Sequence, residues 1–218
     1  MEAIVIGATG LTGQALTKYL LQDNAFTKVK ILVRKKTNLS HSKLEEIIFD
    51  FDNPSLQAVA LKADVLFNAL GTTLKKAGSQ GAQQVIDRDY PIVLAQLAKT
   101  QGVTKMLSVS SVGADSNSSN FYLRTKGEME DGVQKVFGNQ AVFFQPSFLV
   151  GDRQEFRIGE KIGLWAMKVI DLFLVGPVAK YHSIDADDVA KAMIEHSKSD
   201  AQKIQKIDYQ NIMKILRK

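Results

Sequence analysis

Short apolar runs alternate with stretches of helical spacing along the 218-residue chain. Ala3–Ile6, Val29–Val33, Glu46–Phe49, Val65–Leu70, Lys105–Val109 and Ala141–Phe144 read as strands. Each is brief and nearly continuously apolar, as expected where helices cover both faces of a parallel sheet. Between them, Leu11, Ala15, Leu16, Tyr19 and Leu20 recur at helical spacing, and Val85–Lys99 and Phe121–Phe137 read as longer helices. Pro91 fits only in a first turn or at a kink, because it has no N–H to give a helix. Past residue 150 the alternation weakens. An apolar helix is expected at Ile162–Val175, a strand near Tyr181–Ile184, and helices at Ala186–His196 and Asp208–Leu216. This order predicts one α/β domain spanning 1–218, a doubly wound parallel sheet in which 151–218 forms a small lobe over a pocket on the substrate side.

Composition narrows the function classes. Hydrophobic residues make up 45% of the chain and charged residues 23%, enough apolar content to bury a core. The chain has no Cys, which removes disulfides, thiolate catalysis and cysteine-held metals and fits a reducing compartment. His41, His182 and His196 are far apart, so no metal is expected. The net charge is +5, but the 28 Lys and Arg are scattered without an arginine-rich or aromatic-interleaved stripe, so nucleic acid is not an expected partner. The start, Met1-Glu2-Ala3-Ile4, is no signal peptide, and no stretch approaches the roughly 20 apolar residues of a membrane span. A cytoplasmic protein with a small-molecule substrate is the expectation. The apolar run Ile162–Val175 reads as a buried or pocket wall, or else as the face of a homodimer or a membrane-surface contact.

The chemistry begins right after the first strand, at Gly7-Ala8-Thr9-Gly10-Leu11-Thr12-Gly13, where the helical pattern starts inside the glycine-rich turn. Glycines there permit a tight turn and bring backbone N–H groups near a pyrophosphate, while the helix N-terminus adds its partial positive charge. Strand before and helix after is the context a Rossmann-type dinucleotide site requires. At the end of the second strand, an NAD(H) site usually has an acidic residue for the ribose. Here stand Arg34-Lys35-Lys36, which suit the 2′-phosphate of NADP(H). NADP(H) is therefore the preferred cofactor, with NAD(H) as the alternative. Asp50-Phe51 ends the third strand, where the carboxylate can accept from an adenine amino group. Asn68-Ala69-Leu70-Gly71-Thr72 closes the fourth, again at the ligand edge.

The fifth strand leads into Ser110-Ser111-Val112-Gly113, and Tyr122 and Lys126 follow four apart on a helix, on one face. An ammonium near a phenol favours the phenolate, which brings tyrosine into the working range of an acid/base group. A serine hydroxyl can polarise a carbonyl or alcohol beside it. Ser111 is preferred over Ser110 for its place before Val-Gly.

These residues carry a resemblance. The chain resembles the short-chain dehydrogenase/reductase superfamily in its atypical branch, and within it the Tat-interacting-protein oxidoreductase family, over nearly its whole length. The specific stretches are Gly71-Thr72-Thr73 through Lys76-Ala77-Gly78, Asp87-Arg88-Asp89-Tyr90, Ser111-Val112-Gly113-Ala114-Asp115 with Ser118-Ser119-Asn120-Phe121, Lys126-Gly127-Glu128, and Asp152-Arg153-Gln154-Glu155. The resemblance implies NADP(H) held at Gly7, Gly10 and Gly13, a Ser–Tyr–Lys site at Ser111, Tyr122 and Lys126, and backbone contacts to the nicotinamide side near Pro146. Two positions depart from the pattern. Gln145 stands where Arg is common before Pro146, and Asp87 occupies a helical position often held by Asn. The expectation is an oxidoreductase acting on a carbonyl/alcohol pair or a related small substrate. The alternative is a regulatory protein that senses dinucleotide without turnover.

Overall fold

The structure, a computed structural model, describes residues 1–150, 182–199 and 205–217. Six parallel strands follow in chain order: β1 (Glu2–Ile6), β2 (Lys28–Val33), β3 (Leu44–Ile48), β4 (Val65–Asn68), β5 (Lys105–Val109) and β6 (Ala141–Phe144). β7 (Leu149–Val150) and β8 (Ile184–Asp185) pair with each other in a short parallel ladder, and β9 (Lys206–Ile207) returns to the main sheet beside β6. The spatial order β3-β2-β1-β4-β5-β6-β9 reverses direction between β1 and β4. A crevice opens at such a switch point, outside the carboxyl ends of the strands.

Helices cover both faces because consecutive strand residues point to opposite sides. On one face Val5, Ile31 and Phe67 pack against Leu16 and Leu20 of α1 (Leu11–Gln22). On the other, Ile4, Ile6, Leu66 and Met106 meet Leu94 and Ala98 of α4 (Tyr90–Thr100) and Met129 and Val133 of α5 (Phe121–Phe137). Two short helices, α2 (Leu74–Ala77) and α3 (Gln80–Gln84), stand between β4 and α4, each started by a hydroxyl cap from Thr73 or Ser79. The near-total burial of β1, β4 and β6 explains why their sequences lack a polar alternation, whereas the edge strand β3 is only partly buried.

Two expectations change in detail. The helix expected over Val85–Lys99 is interrupted: Val85–Asp89 is a π turn in which Tyr90 N–H donates to the Val85 carbonyl, and α4 starts only at Tyr90. Pro91 has no N–H for the Asp87 carbonyl, so the ladder widens by one residue just before it. The described part of the last third completes the sheet and one of its faces. α6 (Ala186–Ser197) and α7 (Tyr209–Leu216) add Val189, Met193 and Ile212 to the core beneath α1, and β9 adds Ile207. The apolar helix at Ile162–Val175 and the loop with Arg153 lie outside the described residues.

Candidate active site

A cleft of about 600 Å³ opens at the switch point, floored by the ends of β1, β4 and β5. Its first wall is the N-terminus of α1. Gly7 has φ of +81°, and a side chain there would lie 2.4 Å from the Ala69 carbonyl oxygen. At Gly13 one would lie 2.0 Å from the Gly7 carbonyl oxygen. Only glycine lets the turn, the helix and the next strand approach so closely. Neither glycine lines the cleft; both shape it. Thr9, Gly10, Leu11 and Thr12 line it directly. The helix offers this wall no side-chain cap and no acidic residue in its first turn. Its leading N–H groups and its positive dipole end therefore suit a diphosphate.

Leu70, Gly71 and Thr72 form the opposite wall, as expected, joined by Ala69, Thr73 and Lys76. At the inner end α5 delivers Tyr122 and Lys126 to the same cleft. Asn120 caps this helix by accepting from Leu123 N–H, which fixes the first turn on which Tyr122 sits. Tyr122 is 38% exposed, as a group meeting substrate must be, whereas the Lys126 side chain is 5% exposed. Lys126 Nζ lies 3.4 Å from Asp87 Oδ1 and 3.5 Å from the Leu70 carbonyl oxygen. Asp87 is itself held: Thr72 N–H donates to its Oδ1 at 3.1 Å and Gln83 Nε2 to its Oδ2 at 3.2 Å. This carboxylate stands on the π turn and lines the cleft.

The two serines part company. Ser110 lines the cleft, 4% exposed, and its buried hydroxyl has no partner among the described residues. The Ser111 hydroxyl lies 3.4 Å from the Val112 carbonyl, outside the cleft. Consecutive residues of an extended segment face opposite ways, so only one of them can serve the site. Among the described residues it is Ser110, not the preferred Ser111, that lines the cleft. A buried hydroxyl with no partner among the described residues is costly, which makes Ser110 a candidate to hold a ligand atom.

The outer end is less enclosed. Arg34, Lys35 and Lys36 are exposed just beyond β2 and do not line the cleft. Asp50 is exposed too, but its carboxylate already accepts from Asp52 N–H and from the backbone and side chain of Asn53. The side-chain bond from Asn53, followed by the Asp52 N–H, holds the Asp50 carboxyl below its ordinary range. Phe51 does not line the cleft: its ring is buried, edge-on to Phe49 at 5.1 Å and tilted against Tyr90 at 5.6 Å. Tyr90 donates to Asp52, and burial together with that bond pushes its hydroxyl up to about 12, with Arg34 opposing. Arg34 is thus within electrostatic reach of this acidic loop.

Pro146 is buried, and its carbonyl accepts from Val112 N–H at 3.0 Å; Leu149, three residues on, lines the cleft instead. Gln145, found in place of Arg, donates to the buried Glu130 at 2.7 Å. Lys206 of β9 supplies the cation, 2.8 Å from the other oxygen. His182 stacks on Tyr209 at 4.9 Å and does not line the cleft. Among the described residues no group of three or more His, Asp or Glu is placed to hold a metal.

The sequence marked Thr73, Lys76 and Asp87 only as parts of the stretches that carry the resemblance, with Asp87 also a departure, and did not single out Gln83 or Leu149. One signal was available. Gln83 and Asp87 stand four apart, on one helical face, beside an otherwise apolar helix, which marks polar groups with a buried partner.

Comparison with known proteins agrees with this geometry. The NAD(P)H-binding family model matches residues 7–161. Protein HTATIP2 of Rattus norvegicus is 35% identical over 199 residues, covering 89% of this chain and 80% of the relative. Protein FMP52, mitochondrial, of Eremothecium gossypii is 34% identical over 154 residues, 71% of this chain and 69% of that protein. Among solved structures, the oxidoreductase ylbE from Lactococcus lactis superposes with a TM-score of 0.70 at 19% identity, covering all of this chain and 98% of that one. UDP-glucuronic acid 4-epimerase from Bacillus cereus, in complex with NAD, gives 0.68 at 16% identity, over 95% and 76% of the two chains. With the match to HTATIP2 extending over most of both chains and the glycine cradle in place, this chain belongs to the NAD(P)H-binding family as an atypical short-chain dehydrogenase/reductase.

Proposed function

We propose that the protein is an NADP(H)-dependent oxidoreductase that interconverts a carbonyl and an alcohol on a small substrate. The observation that carries this reading is the convergence on one cleft of Tyr122, Lys126 and Ser110, whose hydroxyl has no partner among the described residues. The nicotinamide, when bound, supplies or accepts the hydride. Ser110 donates to the substrate oxygen and orients it. Tyr122 gives its hydroxyl proton to that oxygen as the carbonyl is reduced, and takes a proton back when the alcohol is oxidised. Lys126 holds positive charge beside Tyr122 and also anchors the cofactor. The α1 N-terminus with Thr9 to Thr12 receives the diphosphate, and Arg34 with Lys35 receives the 2′-phosphate at the solvent-exposed end.

A reducing compartment accompanies this reading, in line with a chain free of cysteine. We place the protein in the cytoplasm; cell fractionation separates that from the mitochondrial location in the names of its FMP52 relatives. Among the described residues no helix is long and apolar enough to cross a membrane.

The deciding experiment titrates the purified protein with NADPH and NADH, following cofactor fluorescence, and repeats both with Arg34→Ala. The expected result is tighter NADPH binding that the substitution erases, followed by turnover in a carbonyl screen that Tyr122→Phe abolishes without loss of binding. Saturable binding with no turnover on any carbonyl would favour a dinucleotide sensor. Saturable binding of neither cofactor would end the oxidoreductase reading.

A further inference from the structure

The Lys126–Asp87 pair is unusual for its setting. It lies at the wall of a ligand cleft, the Asp87 side chain is fully buried, and two further donors hold the carboxylate in place. A buried ion pair contributes little net stability compared with apolar residues of the same volume, so its fixed charges point to a role other than folding. An asparagine would accept the Thr72 N–H equally well. What only the aspartate adds is one negative charge, enough to cancel that of Lys126.

That charge faces a ligand whose own charge changes. The oxidised nicotinamide ring carries one more positive charge than the reduced ring, while ribose and phosphate groups are the same in both forms. Every phosphate contact therefore cancels in the ratio of the two affinities. Near the inner end the described residues lining the cleft offer only Lys126, Asp87 and the exposed Lys76 as charged groups, and Lys76 is screened by solvent. We propose that Asp87 is a positioning residue that sets which redox form of the dinucleotide the cleft prefers. By neutralising Lys126 it makes the oxidised form an acceptable occupant. The idea rests on the proposed cofactor function and goes beyond it, since nucleotide binding alone needs no carboxylate at this place.

The test measures dissociation constants of the intact protein for NADP⁺ and NADPH by calorimetry at pH 8, with no turnover required. Asp87→Asn leaves an uncompensated cation, so the NADP⁺ constant rises relative to that of NADPH by about tenfold or more, the size expected of one unit charge several ångström away at an effective dielectric of about 20. Lys126→Met leaves the carboxylate alone and shifts the ratio the opposite way. The double variant returns towards the parent ratio. If Asp87→Asn does not fold by thermal melt, Lys126→Met decides the question by itself. Single-variant ratios within about twofold of the parent's would overturn the role of Asp87 while leaving the cofactor function intact. A parent protein that binds neither form would overturn both.

Discussion

The inner end of the cleft and the cationic segment beyond β2 carry their charges under opposite physical conditions. At the inner end the charges are buried and paired: Lys126 and Asp87 are fixed by Leu70, Thr72 and Gln83, and Ser110 has no partner among the described residues. At the outer end Arg34, Lys35 and Lys36 project into solvent, and Asp50 folds back on its own loop. A group fixed in low dielectric acts strongly on whatever sits beside it and needs no rearrangement when the ligand arrives. Solvated side chains act weakly, are screened by salt, and lose side-chain entropy when they close on a phosphate. Chemistry belongs at the first kind of site and selection between cofactors at the second.

Substitutions at each end test this contrast. Tyr122→Phe is expected to lower turnover by roughly 10²–10⁴, the usual worth of a positioned acid/base group, with dinucleotide affinity unchanged. Steady-state kinetics beside a binding titration checks it, and turnover within threefold of the parent would remove Tyr122 from the chemistry. Ser110→Ala should cost roughly 10²-fold in turnover, as for loss of one fixed donor, while Ser111→Ala should stay near the parent rate. The reverse ranking would restore Ser111 to the site. At the outer end, Arg34→Ala is expected to weaken NADPH binding about tenfold and NADH binding hardly at all, with the difference shrinking as salt is raised. A salt-independent loss would mean that Arg34 acts from a buried position rather than a solvated one.

The smallest effect concerns Asp50. Its carboxyl is held below the ordinary 3.8 by the Asn53 side chain and then the Asp52 N–H. A depressed folded value means that these bonds support the loop above the ordinary value and are lost as pH falls through the folded one. Carbon-detected NMR titration of the Asp50 carboxyl should give a midpoint below 3.8 that moves back up in Asn53→Ala. A midpoint unchanged by that substitution would free Asp50 for the adenine contact first expected of it.

Much of the fold was legible in the chain. The inner strands are mostly apolar, as a sheet buried on both faces demands, while β3 at the edge carries Glu45 and Glu46; the glycine turn stands between the first strand and its helix. Regular secondary structure is a local matter, so boundaries such as Lys105–Val109 and Phe121–Phe137 follow from neighbours in sequence. The two-residue strands β7 and β9 were not legible, because they carry too little pattern and owe their pairing to strands distant in sequence.

The candidate site divides along the same line. The amino-acid sequence by itself determined the residue types and their spacing: glycines where strand meets helix, Tyr122 and Lys126 one turn apart, cations after β2. Only the tertiary structure decided which side chains meet. It turned Ser110 inward and Ser111 away, since one residue of offset reverses the direction of an extended chain. It buried Phe51, and it brought Asp87, on the π turn, to Lys126 across 39 positions. Contacts between distant segments depend on packing and strand order, and neither is written in any local stretch of the chain.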